Sequence, residues 1–240
     1  MSTLLLRLAA PLQSWGVASK FDTRDTAREP TKSGVIGLIA AALGCSRTDS
    51  GDAAKWLEKL KDLNFAVRVD QTGVLLRDYH TAKKLKDQTS FVTVRYYLAD
   101  AIFLVGLEGE KSFLMKLMEA LQNPVFPLYL GRRSCPPTGR MVLGIRERTL
   151  QQALEEESWQ ASEWYQKRKS YQAKLTIVRD AKSSEQDVFL RRDLPISFDQ
   201  RNRRYGFRYV SDIAEALYVS IPERVAEEPT ECDAMEELED

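Results

Sequence analysis

Asp100-Ala-Ile-Phe-Leu-Val-Gly-Leu-Glu-Gly109, followed at once by Lys111-Ser-Phe-Leu-Met-Lys-Leu-Met-Glu-Ala-Leu-Gln122, decides the fold of this 240-residue chain. The first segment is an apolar run of strand length that ends in glycine. In the second, Phe113, Leu114, Leu117, Met118 and Leu121 recur at helical spacing and mark an inward face. The next apolar run, Met141–Ile145, reads as another strand, so the order here is strand, helix, strand.

The N-terminal side repeats that order. Thr3–Ala10 reads as a buried strand ended by Pro11. Pro30-Thr-Lys-Ser-Gly34 opens an apolar run to Leu43, a short core helix with Ser33 as N-cap and Gly44 as its stop. Gly51–Asp62 is a second, amphipathic helix carrying Ala54, Leu57 and Leu60. Phe65, Val67 and Val69 alternate through a strand at Asn64–Asp70, Gln71-Thr-Gly73 turns, and Val74–Asp78 returns. Two strand–helix–strand units in this order are a split βαβ pattern. They predict an α+β chain with a ferredoxin-like (RRM-like) domain over residues 1–150.

Tyr79–Leu98 departs from this pattern. It is rich in Lys, Thr and aromatics, lacks apolar periodicity around Lys83, Lys84 and Lys86, and reads as a projecting hairpin or mobile loop, a thumb at about 79–98. After residue 150, Thr149–Glu157 looks helical and 158–172 is aromatic and charged without a clear assignment. Lys174–Arg179, Asp187–Arg191 and Tyr205–Ser211 look like strands of a small β-rich region spanning 151–222. Residues 223–240 form an acidic tail that is expected to be disordered.

Composition excludes several classes. No apolar run approaches the ~20 residues needed to span a bilayer, and Leu4-Leu-Leu-Arg-Leu8 has neither the basic flank nor the cleavage site of a signal peptide. A cytoplasmic location without membrane contact is the expectation. Cys45, Cys135 and Cys232 are scattered and odd in number, His80 is the only histidine, and no metal or other cofactor is expected. Net charge is zero, yet 223–240 holds nine acids and only Arg224 as a base. Residues 1–222 therefore hold 34 basic and 26 acidic side chains, a body of +8. A basic body with an acidic tail fits a polyanion binder, although a tail that only solubilises gives the same pattern.

Four segments combine cations with glycine or aromatic rings. Tyr129-Leu-Gly-Arg-Arg-Ser-Cys-Pro-Pro137 sets Arg132 and Arg133 after Gly131 and before Ser134, on a loop stiffened by Pro136 and Pro137. Adjacent guanidinium groups suit phosphate oxygens and stack on bases; a solvated basic turn is the plain alternative. Thr31-Lys32-Ser33-Gly34 opens a helix, where N–H groups and the dipole favour an anion. Gln13, Trp15 and Arg24 form a third group, with core packing as the alternative for Trp15. Arg77, His80 and Thr81 with Arg95 and Tyr96 surround the proposed hairpin. This mixture suits single-stranded RNA. His80 could also serve as the general base of a metal-free RNA cleavage, or be a simple contact oriented by Asp78. Neither G-x-G-x-x-G nor a P-loop is present.

Taken together, Leu6-Arg-Leu-Ala-Ala-Pro-Leu-Gln-Ser-Trp-Gly16, Pro30-Thr-Lys-Ser-Gly-Val-Ile-Gly-Leu38, Leu76-Arg-Asp-Tyr-His-Thr81 and Pro127-Leu-Tyr-Leu-Gly-Arg-Arg-Ser-Cys-Pro136 resemble the CasD family of type I-E CRISPR Cascade subunits. The likeness runs in order over about 1–145 and weakly to about 211. It implies a repeat-associated RNA-binding fold with a long thumb hairpin and a small C-terminal β-rich region. It implies a non-catalytic subunit of an antiviral surveillance complex that caps the 5′ handle of the crRNA and meets the backbone subunit CasC and the large subunit CasA. The thumb would then lie across the guide, near target DNA. A related branch of the family cleaves precursor crRNA, which keeps a metal-independent endoribonuclease as the alternative, with His80 and Lys83 or Lys84 as suspects.

Overall fold

The computed structural model describes residues 1–16, 22–46, 51–83, 90–169, 172–199 and 201–220. The acidic tail at 223–240, Cys232, Lys84 and Lys86 lie outside the described residues. In chain order the elements are β1 (Ser2–Ala9), β2 (Leu12–Gln13), β3 (Thr23–Arg24), α1 (Lys32–Ala42), α2 (Asp52–Lys61), β4 (Asn64–Gln71), β5 (Val74–Lys83), β6 (Ser90–Ala99), β7 (Ile102–Gly109), α3 (Lys111–Gln122), β8 (Val142–Arg146), α4 (Leu150–Glu156), α5 (Glu163–Lys167), β9 (Gln172–Asp180), β10 (Val188–Ser197) and β11 (Arg204–Ser220).

Mixed α and β elements are dominated by antiparallel sheet. One sheet of seven strands runs β10-β11-β9-β4-β7-β1-β8, and each neighbouring pair is antiparallel. Strands β4, β7, β1 and β8 form one half, with β8 at its edge, and β9, β11 and β10 extend the sheet beyond β4. The run Leu4-Leu-Leu6 has no polar alternation because both faces of β1 are covered. Leu4, Leu6 and Leu8 pack with α1, α2 and α3 through Ile36, Leu60, Leu114 and Leu117. Leu5 points the other way, toward Ala153 and Leu154 of α4. A strand sealed on two sides reads as a continuous apolar run.

The cap of α1 differs from expectation. Thr31, not Ser33, is the N-cap: its hydroxyl accepts from the Gly34 N–H at 3.2 Å, and the helix begins at Lys32. The C-terminal strands are longer than the apolar runs suggested. β10 continues through Pro195 because it is the sheet edge, where a missing N–H costs no ladder bond, and its register shifts there.

The second sheet is the projecting arm. β5 and β6 pair without interruption from Val74 with Ala99 to Lys83 with Ser90. The arm therefore starts at Val74, before the Tyr79 expected from composition. β2 and β3 dock on the root of β6 at Leu98–Ala99 and Val94–Arg95. Most of β5 is open to solvent, and Val74 is 70% exposed.

Candidate nucleic-acid interface

Two buried side chains hold the 129–137 loop. Leu130 and Cys135 sit in the main core, and the Leu130 N–H donates to the Cys135 carbonyl at 2.7 Å. Between these anchors the chain turns, with the Cys135 N–H donating to the Arg132 carbonyl at 2.9 Å. Gly131 makes the turn possible. Its φ is +89°, and a Cβ there would stand 1.7 Å from the Ser14 carbonyl oxygen, far closer than any van der Waals contact allows. Ser14 in turn donates its N–H to the Leu130 carbonyl at 3.2 Å. The loop is thus pressed onto the segment after β2, with Arg133 and Ser134 exposed and Arg132 half-buried.

Arg132 lies over the root of the arm. Its guanidinium carbon is 4.4 Å from the centroid of the Tyr97 ring, and Nη2 donates to the Arg24 carbonyl at 3.0 Å. Among the described residues, Arg132 Nη1 and Arg95 Nε are buried without a hydrogen-bond acceptor. An unpaired buried donor on a cation is costly, and an anionic oxygen is its natural complement. The arrangement can hold a phosphate against a flat aromatic and cationic floor.

Tyr97 is the residue that sequence reasoning missed, choosing Tyr96 instead. Alternation along β6 is the signal that separates them. By the pairing register, Asp78, His80, Arg95 and Tyr97 share one face, while Arg77, Thr81 and Tyr96 share the other. Arg24 pairs with Arg95 in parallel register. Burial alone would raise the Tyr97 hydroxyl pKa, but the neighbouring polar groups of Arg132, Ser134 and Arg95 and the Arg132 charge outweigh it and hold it below the ordinary value. The sign follows: the folded state releases this proton first, so stability rises with pH from the lowered value up to the ordinary one near about 10. Titration of tyrosinate absorbance should show an early step that Tyr97→Phe removes and Arg132→Ala moves upward.

The structure gathers Arg24, Arg95, Gly131, Arg132, Arg133 and Ser134 at this floor. His80 stands further out on the same arm face, exposed and paired with the Asp78 carboxylate. Arg77, Thr81 and Tyr96 are turned to the opposite face.

Four expected contact residues lie elsewhere, for physical reasons. Gln13, expected to line the groove, is fully buried; it donates to the Leu8 and Ala101 carbonyls and accepts from the Trp15 indole at 3.1 Å. Trp15 is likewise sealed in the core, so this pair supports the groove from beneath. Lys32 is also buried, its ammonium on the Leu63 carbonyl and the Asp180 carboxylate, both at 2.8 Å. The anion expected at the α1 start is an internal one, since Asp193 accepts from the Lys32 N–H at 3.0 Å. Half-buried Ser33 lies beside this filled cap, with its hydroxyl 3.5 Å from that of Thr31.

Comparison with known proteins adds the context of this interface. The family model of CRISPR-associated protein Cas5 matches residues 3–211. The CRISPR system Cascade subunit CasD of Escherichia coli (strain K12) is 39% identical over 163 residues, covering 60% of this chain and 70% of that protein. Among solved structures, a chain of a CRISPR RNA-guided surveillance complex superposes with a TM-score of 0.72 at 32% identity, with 91% of each chain covered. A second, the crystal structure of a Cas protein, gives 0.66 at 40% identity, covering 90% of this chain and 94% of the other.

Proposed function

Starting from a chain that belongs to the Cas5 family of CRISPR-associated proteins, we propose that it is the CasD-like subunit of a Cascade surveillance complex and caps the 5′ handle of the crRNA without cutting it. The observation that carries this reading is the Arg132–Tyr97 platform, with exposed Arg133 beside it on a loop the core holds rigid. Affinity would come mostly from phosphates and recognition from unpaired bases stacked on the floor. Likeness to the CasD subunit supports the placement in such a complex. On this reading the β5–β6 arm is a thumb that lies across the guide near target DNA, and neighbouring contacts go to the backbone subunit CasC and the large subunit CasA. The assembly would work in the cytoplasm; among the described residues no helix is long and apolar enough to cross a membrane.

The same reading takes residues 1–150 as a ferredoxin-like unit, with 151–222 as the smaller β-rich region. In its favour, β8-β1-β7-β4 is the strand order that two interlocked βαβ units give.

The Arg132→Ala/Arg133→Ala double variant tests the proposal in fluorescence anisotropy with a labelled handle RNA. Binding should weaken by a few kcal/mol, at ~1.5–3 kcal/mol for each charged hydrogen bond removed, and the salt slope should fall by about one for each phosphate that is no longer held. Equal affinity of variant and parent at low salt overturns the reading. The RNA should stay full length in EDTA; shortening that His80→Ala abolishes would move the assignment to an endoribonuclease.

A further inference from the structure

Residues 158–169, part of a stretch unassigned in the sequence, build a second surface of rings and cations around α5. Trp164 is 49% exposed. The Arg168 guanidinium carbon lies 5.4 Å from the Trp164 ring and the Lys169 ammonium 5.2 Å from the Tyr165 ring. Tyr165 meets Trp164 and Trp159 edge to face, at 5.7 and 6.2 Å between centroids. Beneath them Trp159 and Tyr165 wall an open cavity of about 150 Å³, with Lys169 and Lys174 also lining it. A cavity of that volume accepts one six-membered aromatic ring.

The surface is built, not incidental. Trp159 is fixed by its indole N–H, which donates to the Asp70 carbonyl at 2.9 Å. Asp70 also lines the cavity, but its carboxylate is fully buried, its charge balanced by the bidentate pair with Arg68 and one oxygen also accepting from the Gln160 N–H, so it does not repel an anion there. Among the described residues neither Arg168, Lys169 nor Lys174 is in an ion pair. Glu163 is the acid of the helix, one turn before Lys167. The patch lies toward the α4 side of the large sheet, since Arg7 Nε donates to the Gln160 carbonyl at 3.4 Å. The Arg132 loop is anchored in the core on the other side.

We propose that Trp164, Tyr165 and the cavity under Trp159 form a second binding site for single-stranded nucleic acid. One base enters the cavity, its neighbour stacks on Trp164, and Arg168, Lys169 and Lys174 take the intervening phosphates. Stacking and charge together favour this occupant. An acidic peptide supplies the charge but few flat rings, whereas a nucleic-acid strand supplies both at every residue.

Photocrosslinking of the full-length chain tests it, using a bromouridine RNA strand and a bromodeoxyuridine DNA strand, both lacking the handle sequence. Crosslinks to Trp164 or Tyr165 are expected and should persist in the Arg132→Ala/Arg133→Ala variant, which separates this site from the handle reading. Crosslinking by RNA alone points to the guide, and by DNA alone to a target or displaced strand; either supports the site. Trp164→Ala should weaken strand binding about tenfold, the loss of one stacked base. Lys169→Ala/Lys174→Ala should weaken it with a shallower salt dependence while the melting temperature is unchanged. Absence of crosslinks in 159–174 with both strands overturns the proposal. So does unchanged affinity of both variants, even where they fail to co-purify with other subunits, which would make the patch a protein interface.

Discussion

Arg68→Ala is expected to lower the unfolding free energy by ~3–5 kcal/mol, the usual consequence of removing one partner from a buried ion pair. The side chain is fully buried on β4 and has a partner for each of its three nitrogens. Nε and Nη2 grip the two Asp70 oxygens at 2.7 and 2.8 Å, a bidentate pair. Nη1 donates to the carbonyls of Leu154 and Glu157, and Nη2 also to that of Ser158. Those carbonyls are the last turn and exit of α4, which the helix itself leaves without donors. Alanine would strand a buried carboxylate and three carbonyls at once, and would release α4 from the sheet. Urea denaturation should show a lower midpoint. Arg68→Lys should not restore it, because an ammonium cannot reproduce the planar fork. A loss under about 1 kcal/mol, within the range of exposed pairs, would show that water takes the place of the guanidinium.

Asp193→Ala should cost a similar ~3–5 kcal/mol by the same logic, but at another joint. Asp193 accepts from Arg208 Nε at 2.6 Å and Nη2 at 2.8 Å, and from the Lys32 N–H at the start of α1. Asp180 balances the remaining charge, paired with both Lys32 and Arg208. Burial alone would lower the Arg208 pKa, but the bonds and charges of Asp193 and Asp180 raise it above the ordinary value, so the guanidinium stays charged. This network ties β9, β10 and β11 to the N-terminus of α1. Its loss should show in hydrogen exchange as early opening of β10 and β11, ahead of β1 and β7. Uniform loss of protection across the sheet would mean that the network stabilises the whole rather than that joint.

Much of the scaffold could be read from residues alone, because its elements carry strong periodicity. β1, α1, β4, β7 and α3 fall within a residue or two of the runs that announced them. Legibility failed where tertiary pairing decides. β2 and β3 have two residues each and exist only because β6 lies beside them. β10 runs past the expected end at Arg191 and through Pro195, which an edge strand tolerates. In the interface, the Gly131–Ser134 turn was legible from glycine and proline chemistry. Lys32 was misplaced because nothing local reveals that Asp180 and Asp193, far along the chain, fill the space where a ligand was expected. Gln13 and Trp15 sit in the core with their side chains hydrogen-bonded to each other, a pairing that no local sequence signal reveals. Tyr97 could have been preferred over Tyr96 once the arm was recognised as regular strand with Arg95.

The close approach of Gly131 to the Ser14 carbonyl separates two kinds of constraint on one short loop. Arg132 and Arg133 can be exchanged for other side chains with the backbone left in place, so what the loop grips is open to retuning. Position 131 admits no such freedom, because any larger residue lifts the whole turn off its seat and carries both cations away with it. A library randomised at 132–134 should therefore yield folded proteins of altered preference, while one randomised at 131 should return glycine.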